Sequence, residues 1–287
     1  MILMIARHRK AVIDNICRAA TRHDFHTKVE VDDPVLSTEQ RTALLWHFVS
    51  RYHTPWFTFK RLVARCIVNT LSRMVKNDTT ILGLEKLKGI DGGAVVTSNH
   101  FNPFDNAIVR LMALAAGKRC LPIVSQDTNF AMRGIIGFLM RYADLIPISD
   151  SPDYMGHHFG NLISERLRRR EFLLMYAEQE MWFNYRKPRP LKKGAYYYAA
   201  LNGVPVIPCF VEIQTTDKMQ TPYFHHVHCT LHILDPIYPD PTRSPAVNAV
   251  EMCAADYALK CQTYEQVYGR PLDYTFSPWD IAGWKGL

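Results

Sequence analysis

Ala94-Val95-Val96-Thr97-Ser98-Asn99-His100-Phe101-Asn102-Pro103-Phe104-Asp105 reads as a buried strand running into a polar turn, with a helix beyond that stops near Gly117. An apolar run of this length, closed by turn residues and followed by a helical pattern, is the first half of a strand–helix–strand unit. Asn102 suits the N-cap of that helix and Pro103 its first position, which places Asp105 at N3 with its carboxylate pointing back. His100 then lies at the C-terminal end of a strand, where ligands bind in open α/β sheets. The spacing brings a carboxylate onto an imidazole: the base and orienting group of a triad, with a substrate hydroxyl as nucleophile. The plain alternative is a capping carboxylate beside a loop histidine. Among the twelve histidines, only His100 has an Asp five residues on.

Working outward, short apolar runs recur at Leu121–Ser125, Leu145–Ser149, Phe172–Ala177, Val204–Val211 and Cys229–Leu234. Helical patterns separate most of them, near Phe104–Ala116, Phe130–Tyr142, Tyr154–Arg169 and Ala195–Leu201. A last helix starts at Ser244-Pro245, as N-cap and N1, and passes Tyr264. Strand–helix alternation with near-continuous apolar strands predicts an α/β fold, its mostly parallel sheet covered by helices. Before residue 80 the pattern is helical. Ser37-Thr38-Glu39-Gln40 is a capping box, and apolar residues follow at helical spacing to Tyr52. His53-Thr54-Pro55 breaks that helix, and a second, basic amphipathic one follows to Met74. The chain therefore divides into 1–79, an N-terminal helical hairpin, and 80–287, the α/β part. The basic helix either meets an anionic lipid interface or packs on the core with a solvated face.

The 287 residues are 48% hydrophobic, enough for a large core and incompatible with wholesale disorder. The net charge of +7 suits a polyanionic partner, but no nucleic-acid motif is present, so a nucleic-acid function is not expected. Seven cysteines, odd in number and without a C-x-x-C, argue for reduced thiols in a cytosolic setting. The Met1–Ala6 run is stopped by Arg7, His8, Arg9 and Lys10, too early for a signal segment. Phe130–Tyr142 contains Arg133 and Arg141 and cannot span a bilayer. A membrane role would place the protein on the surface.

The second chemically rich stretch is Phe172–Val211. A strand leads to Ala177-Glu178-Gln179-Glu180-Met181-Trp182, and Arg186, Lys187, Arg189, Lys192 and Lys193 follow, stiffened by Pro188 and Pro190. Such a run is either a solvated loop or a phosphate-binding one. His225, His226, His228 and His232 cluster on an edge strand, solvated or around a metal, with no recognised ligand spacing to decide for metal. Phe276, Trp279, Ile281 and Trp284 form an aromatic tail that either covers the core or meets lipid.

The ensemble resembles the PlsC-like glycerolipid acyltransferase family. Its N-H-x-x-x-x-D block is Asn99-His100 through Asp105. A degraded second block is Asp144-Leu145-Ile146-Pro147-Ile148-Ser149-Asp150. The F-P-E-G-T-R block aligns with Tyr176-Ala177-Glu178-Gln179-Glu180-Met181, K-K-G-A with Lys192-Lys193-Gly194-Ala195, and V-P-[IV]-x-P with Val204–Pro208. Joint order and spacing over residues 81–212 are far more specific than any one block. The resemblance implies acyl transfer from acyl-CoA or acyl-carrier protein to a lysophospholipid hydroxyl, at the cytoplasmic face of a membrane carrying anionic lipids, with no cofactor and no metal. It makes His100 the general base and Asp105 its orienting partner, with backbone oxyanion donors near the helix start or in the Gly-containing loop. It places Asn99 and Glu178 in the substrate-binding set, and it makes the N-terminal hairpin a membrane-docking element. Gln179 and Met181 replace the block's Gly and Arg, and that Arg is the residue associated with an acceptor phosphate. Either Arg186, Arg189, Lys192 or Lys193 supplies the missing cation, or the acceptor has no phosphate there. A relative that binds lipid without catalysis is the remaining alternative.

Overall fold

A computed structural model describes residues 9–31 and 34–286; the Met1–Ala6 run lies outside them. Seven strands form one sheet in the order β1-β7-β6-β2-β5-β3-β4. They are β1 Thr79–Leu82, β2 Ala94–Thr97, β3 Ile123–Gln126, β4 Leu145–Ile148, β5 Phe172–Leu174, β6 Val206–Thr221 and β7 Phe224–Ile233. β6, β2, β5, β3 and β4 run parallel; β7 is antiparallel to β6, and β1 is parallel to β7. Every residue of β2 and β5 is buried, so both faces of the sheet are covered there. This is the expected fold class.

The helices are α1 Lys10–Thr21, α2 Thr38–Arg51, α3 Pro55–Met74, α4 Asn106–Ala115, α5 Gly134–Tyr142, α6 Pro152–Tyr154, α7 Gly160–Arg168, α8 Gly194–Leu201 and α9 Pro245–Tyr268. Local chemistry explains several ends. Ser37 and Gln40 form the reciprocal capping box of α2, Thr54 caps α3 before Pro55, and Ser244 caps α9 before Pro245. Other expectations are corrected. α4 begins at Asn106, because residues 102–105 fold as a turn in which Asn102 Oδ1 accepts from Phe104 N. The expected helix 130–142 is broken at Arg133-Gly134. Gly134 takes φ 65°, and Arg141 Nη1 closes the break by donating to the carbonyls of Phe130 and Met132. Residues Met155–Phe159 form a π turn joining α6 to α7. β7 is an interior strand between β1 and β6, so its histidines do not sit on an edge.

α3 packs with α4 and α5, and α8 packs with α7 and α9. β2 therefore leaves through the first helical group and β5 through the second, and the crevice between their C-terminal ends is where an open α/β sheet binds ligand. The change of pattern at residue 80 is not a change of core. Leu45, Phe48, Tyr52, Phe57 and Ala64 of α2 and α3 share one apolar cluster with the strands. A second cluster joins α1, Phe25 and Val29 to Trp182, Phe183, Tyr185 and Ile281. Phe276, Ile281 and Trp284 of the aromatic tail pack there, and Trp279 packs beside Tyr264.

One buried ion cluster ties α3 to the sheet. Asp144, just before β4, receives two bonds from Arg65 of α3, at 2.8 and 2.7 Å, and one from Arg166 at 3.3 Å. Burial alone would raise the Asp144 carboxyl, but the bonds to Arg65 and the charge of Arg166 outweigh it and hold the carboxyl below its usual range. Its stabilisation is present above the ordinary Asp value near 4 and is lost as pH falls through the lower folded-state value. We expect Asp144→Asn to cost about 3 kcal/mol in urea unfolding at neutral pH, with the difference from wild type shrinking in acid. Equal stability at pH 7 would contradict this account.

Candidate active site

The site starts from Asn99. Its amide accepts from Val211 N at 2.8 Å and donates to Val211 O at 3.0 Å, continuing the β2–β6 ladder by a side chain. That leaves the buried Asn99 amide facing β6 rather than the crevice. The next residues are clamped from the other side. His100 O accepts from Trp182 N, and Phe101 O accepts from Asn184 N.

Asp105 closes the turn. Its Oδ2 accepts from Phe101 N at 2.9 Å, Asn102 N at 3.2 Å and His100 Nδ1 at 2.8 Å. A carboxylate can only accept from a neutral imidazole, so Nδ1 carries the proton and the Nε2 lone pair is left available. Nε2 has no partner among the described residues, and the His100 side chain is partly exposed while Asp105 is buried. Oδ1 of Asp105 accepts from the Tyr176 hydroxyl at 2.5 Å. The Tyr176 ring also stacks on His100, with centroids 3.8 Å apart and planes 14° apart. Burial, and then the charge of Asp105, push the Tyr176 phenol well above its ordinary range, so it remains a donor.

The expected oxyanion donors of the turn are already engaged. The N–H groups of Phe101, Asn102, Phe104 and Asp105 all bond within it.

Glu178 sits behind the dyad. Its Oε2 accepts from His100 N at 3.2 Å and from Arg189 at 2.9 Å; its Oε1 accepts from Arg189 N at 2.9 Å. Arg189 also donates to the carbonyls of Phe25 and Glu180 and lies over the Trp182 ring. Arg186 donates to the carbonyls of Ile213 and Trp279 and to Thr215 Oγ1. Lys187 pairs with Asp280 at 2.9 Å. These three cations are buried and bonded inside the protein, so this part of the run is neither a solvated loop nor an open phosphate clamp. Lys192 and Lys193 are exposed. Sequence reasoning gave no part to Tyr176, Trp182 or Asn184, although Tyr176 stands inside the third block. The one available signal was a hydroxyl at a position the family fills with Phe.

Beside the same turn lies an open cleft bordered by Phe101, Phe104, Ile108 and Phe183, with Asp78, Asp105, Gln220 and His226 also in its lining. Asn184 borders it too, with its Oδ1 buried and without a partner. His226, His228 and His232 do not converge on a common point: they contact Asp78, Thr80 and Glu212 in turn. Among the described residues there is no cluster of three potential metal ligands. Burial pushes the thiols of Cys120, Cys209 and Cys229 up to about 12, which suits packing rather than reactivity.

A hydrogen-bonded histidine–aspartate pair thus stands at the C-terminal end of a central strand of an α/β sheet, and similar proteins are known. Residues 78–212 match the acyltransferase family model. No curated protein matches the chain in sequence. The fold is similar to that of the 1-acyl-sn-glycerophosphate (LPA) acyltransferase PlsC from Thermotoga maritima. The TM-score is 0.51 at 13% identity, over 81% of this chain and 97% of that one.

Gln179 occupies the block's glycine position and takes φ 69°, the left-handed conformation that glycine adopts without strain. Holding a side chain there costs about 1 kcal/mol. We expect Gln179→Gly to raise the melting temperature by about 2 °C, read by calorimetry. A lowered value would show that the Gln179 side chain contributes more than its backbone strain costs.

Proposed function

We propose that this protein is an O-acyltransferase that moves a fatty acyl group from a thioester, acyl-CoA or acyl-carrier protein, to a lysophospholipid-type hydroxyl at the cytoplasmic face of a membrane. The observation that carries the reading is the His100 Nε2 lone pair, left available by the Nδ1–Asp105 bond at 2.8 Å, inside the family-matched region. Nε2 takes the proton of the acceptor hydroxyl as its oxygen attacks the thioester carbonyl carbon, and Asp105 stabilises the imidazolium. The C–O bond forms, the C–S bond breaks, and the thiolate leaves with its electron pair, taking up a proton afterwards. The phenylalanine-lined part of the cleft beside the turn suits a fatty chain.

A second reading of the acceptor is favoured by the buried cations. Met181 stands at the position associated with the acceptor phosphate, and Arg186, Lys187 and Arg189 are bonded internally. An acceptor recognised through hydroxyls, such as a glycolipid or another alcohol, fits this arrangement better than a phosphomonoester does.

The test is acyl transfer by purified protein with both donor types and a panel of lysophospholipid, glycolipid and alcohol acceptors, read by mass spectrometry. We expect a product that falls at least about 100-fold in His100→Ala. Undiminished turnover in that variant would overturn the general-base role. No product with any acceptor, from folded protein that still binds lipid, would favour a non-catalytic lipid-binding relative.

For the membrane we propose peripheral docking through α3. Trp56 and Phe59 stack on each other and are 63% and 55% exposed, with Leu62 beside them and Lys60 close to Trp56. Ile135 and Ile136 are exposed on α5, which packs against α3. No helix among the described residues is long and apolar enough to cross a membrane. An exposed aromatic and basic face of this kind suits the headgroup region. We expect the double variant Trp56→Glu, Phe59→Glu to lose vesicle co-sedimentation at least tenfold, a ΔG of about 1.4 kcal/mol, while keeping turnover of water-soluble short-chain substrates. Unchanged sedimentation would exclude this face.

A further inference from the structure

We infer that Tyr176 is a positioning residue for the acyl-transfer site, acting on His100 through its ring and on Asp105 through its hydroxyl. The inference rests on the proposed general-base reading and adds a third side chain to the dyad. The geometry has two independent parts. The ring lies flat on the imidazole, with centroids 3.8 Å apart, and restrains its tilt. The hydroxyl donates to Asp105 Oδ1 at 2.5 Å, the oxygen that faces away from the histidine.

The second contact matters because of how Asp105 is loaded. Three N–H groups converge on Oδ2: those of His100, Phe101 and Asn102. Without a donor on Oδ1, the carboxylate carries a buried oxygen with unused lone pairs, and the carboxylate plane loses its second anchor. Buried polar atoms are costly unless bonded, and such a group reorients to recover a partner. Tyr176 removes that alternative and holds Oδ2 toward Nδ1. A phenol buried in this way itself needs an acceptor, and Asp105 provides it. A phenylalanine at residue 176, as in the family's usual block, keeps the stacking and lacks the anchor.

Tyr176→Phe separates the two contacts, and Tyr176→Leu removes both. In Tyr176→Phe we expect kcat to fall about tenfold to a hundredfold, the range for one hydrogen bond to a charged group. KM for donor and acceptor should stay within twofold, and the variant should remain folded by circular dichroism. Tyr176→Leu should fall further. A readout independent of turnover is the Nδ1 proton of His100, assigned by its absence in His100→Ala. We expect it to exchange slowly in wild type and faster in Tyr176→Phe. An unchanged kcat with an unchanged proton signal, or a loss confined to KM, would overturn the positioning role. If the wild type transfers no acyl group to any acceptor, the proposed function fails, while the proton signal still decides whether Tyr176 orders the pair.

Discussion

The carboxylate of Asp105 is the constraint on which the site depends. It is buried, and a buried carboxylate must have its oxygens engaged or its cost is severe. Here the donors come from three levels of structure: the backbone of the turn, a side chain five residues back, and a side chain from the next parallel strand connection. Satisfying Asp105 therefore forces the turn to close, sets the tautomer of His100 and fixes the C-terminal end of β5 against that of β2. The requirement that prevents a buried charge from being destabilising is also the one that leaves Nε2 available.

The second organising feature is where the positive charge goes. A net charge of +7 suits a polyanionic partner, and the basic run reads from sequence as either a solvated loop or a phosphate-binding one. Instead Arg186, Lys187 and Arg189 turn inward and hold three distant segments together. Arg189 reaches Phe25 and Glu178, Arg186 reaches β6 and Trp279, and Lys187 reaches Asp280. Their role is to fix the loop after β5, whose Trp182 and Asn184 backbones clamp His100 and Phe101. Cations used in this way determine where the backbone beside His100 and Phe101 lies.

This difference between local and distant partners also marks what could be read in advance. The His100–Asp105 contact was legible because five residues of turn suffice to make it. The capping box of α2 and the apolar strands of the parallel core were legible for the same reason: short-range spacing and an apolar run carry them. β1 was missed because its four residues are half-exposed, and its partner β7 lies about 150 residues on. The outer half of β6 was missed because a strand exposed to water needs no apolar pattern. α1 carries a readable stripe of Val12, Ile13, Ile16, Ala19 and Ala20. Its packing on Trp182 is not readable, since nothing in either segment names the other. The burial of Arg186 and Lys187 could not be seen without Trp279 and Asp280, more than 90 residues away.

The His100–Asp105 turn is thus local in sequence but not self-supporting. The loop 178–189 bonds its backbone. That loop is covered by Phe25 and Thr27 from the segment after α1, which accept from Arg189 and Trp182, and by Ala282, which bonds Asn184 through both of its backbone groups. Segments from both sides of the α/β core must therefore dock before His100 O and Phe101 O find their donors. The apolar cluster around α1 and Ile281 is small beside the main core, so the docking free energy is the smaller share of the fold's stability. A site assembled in this way loses its geometry before the sheet loses its structure. In a protein of this architecture, activity should report on the seating of the α1 segment and the aromatic tail more sensitively than bulk unfolding does.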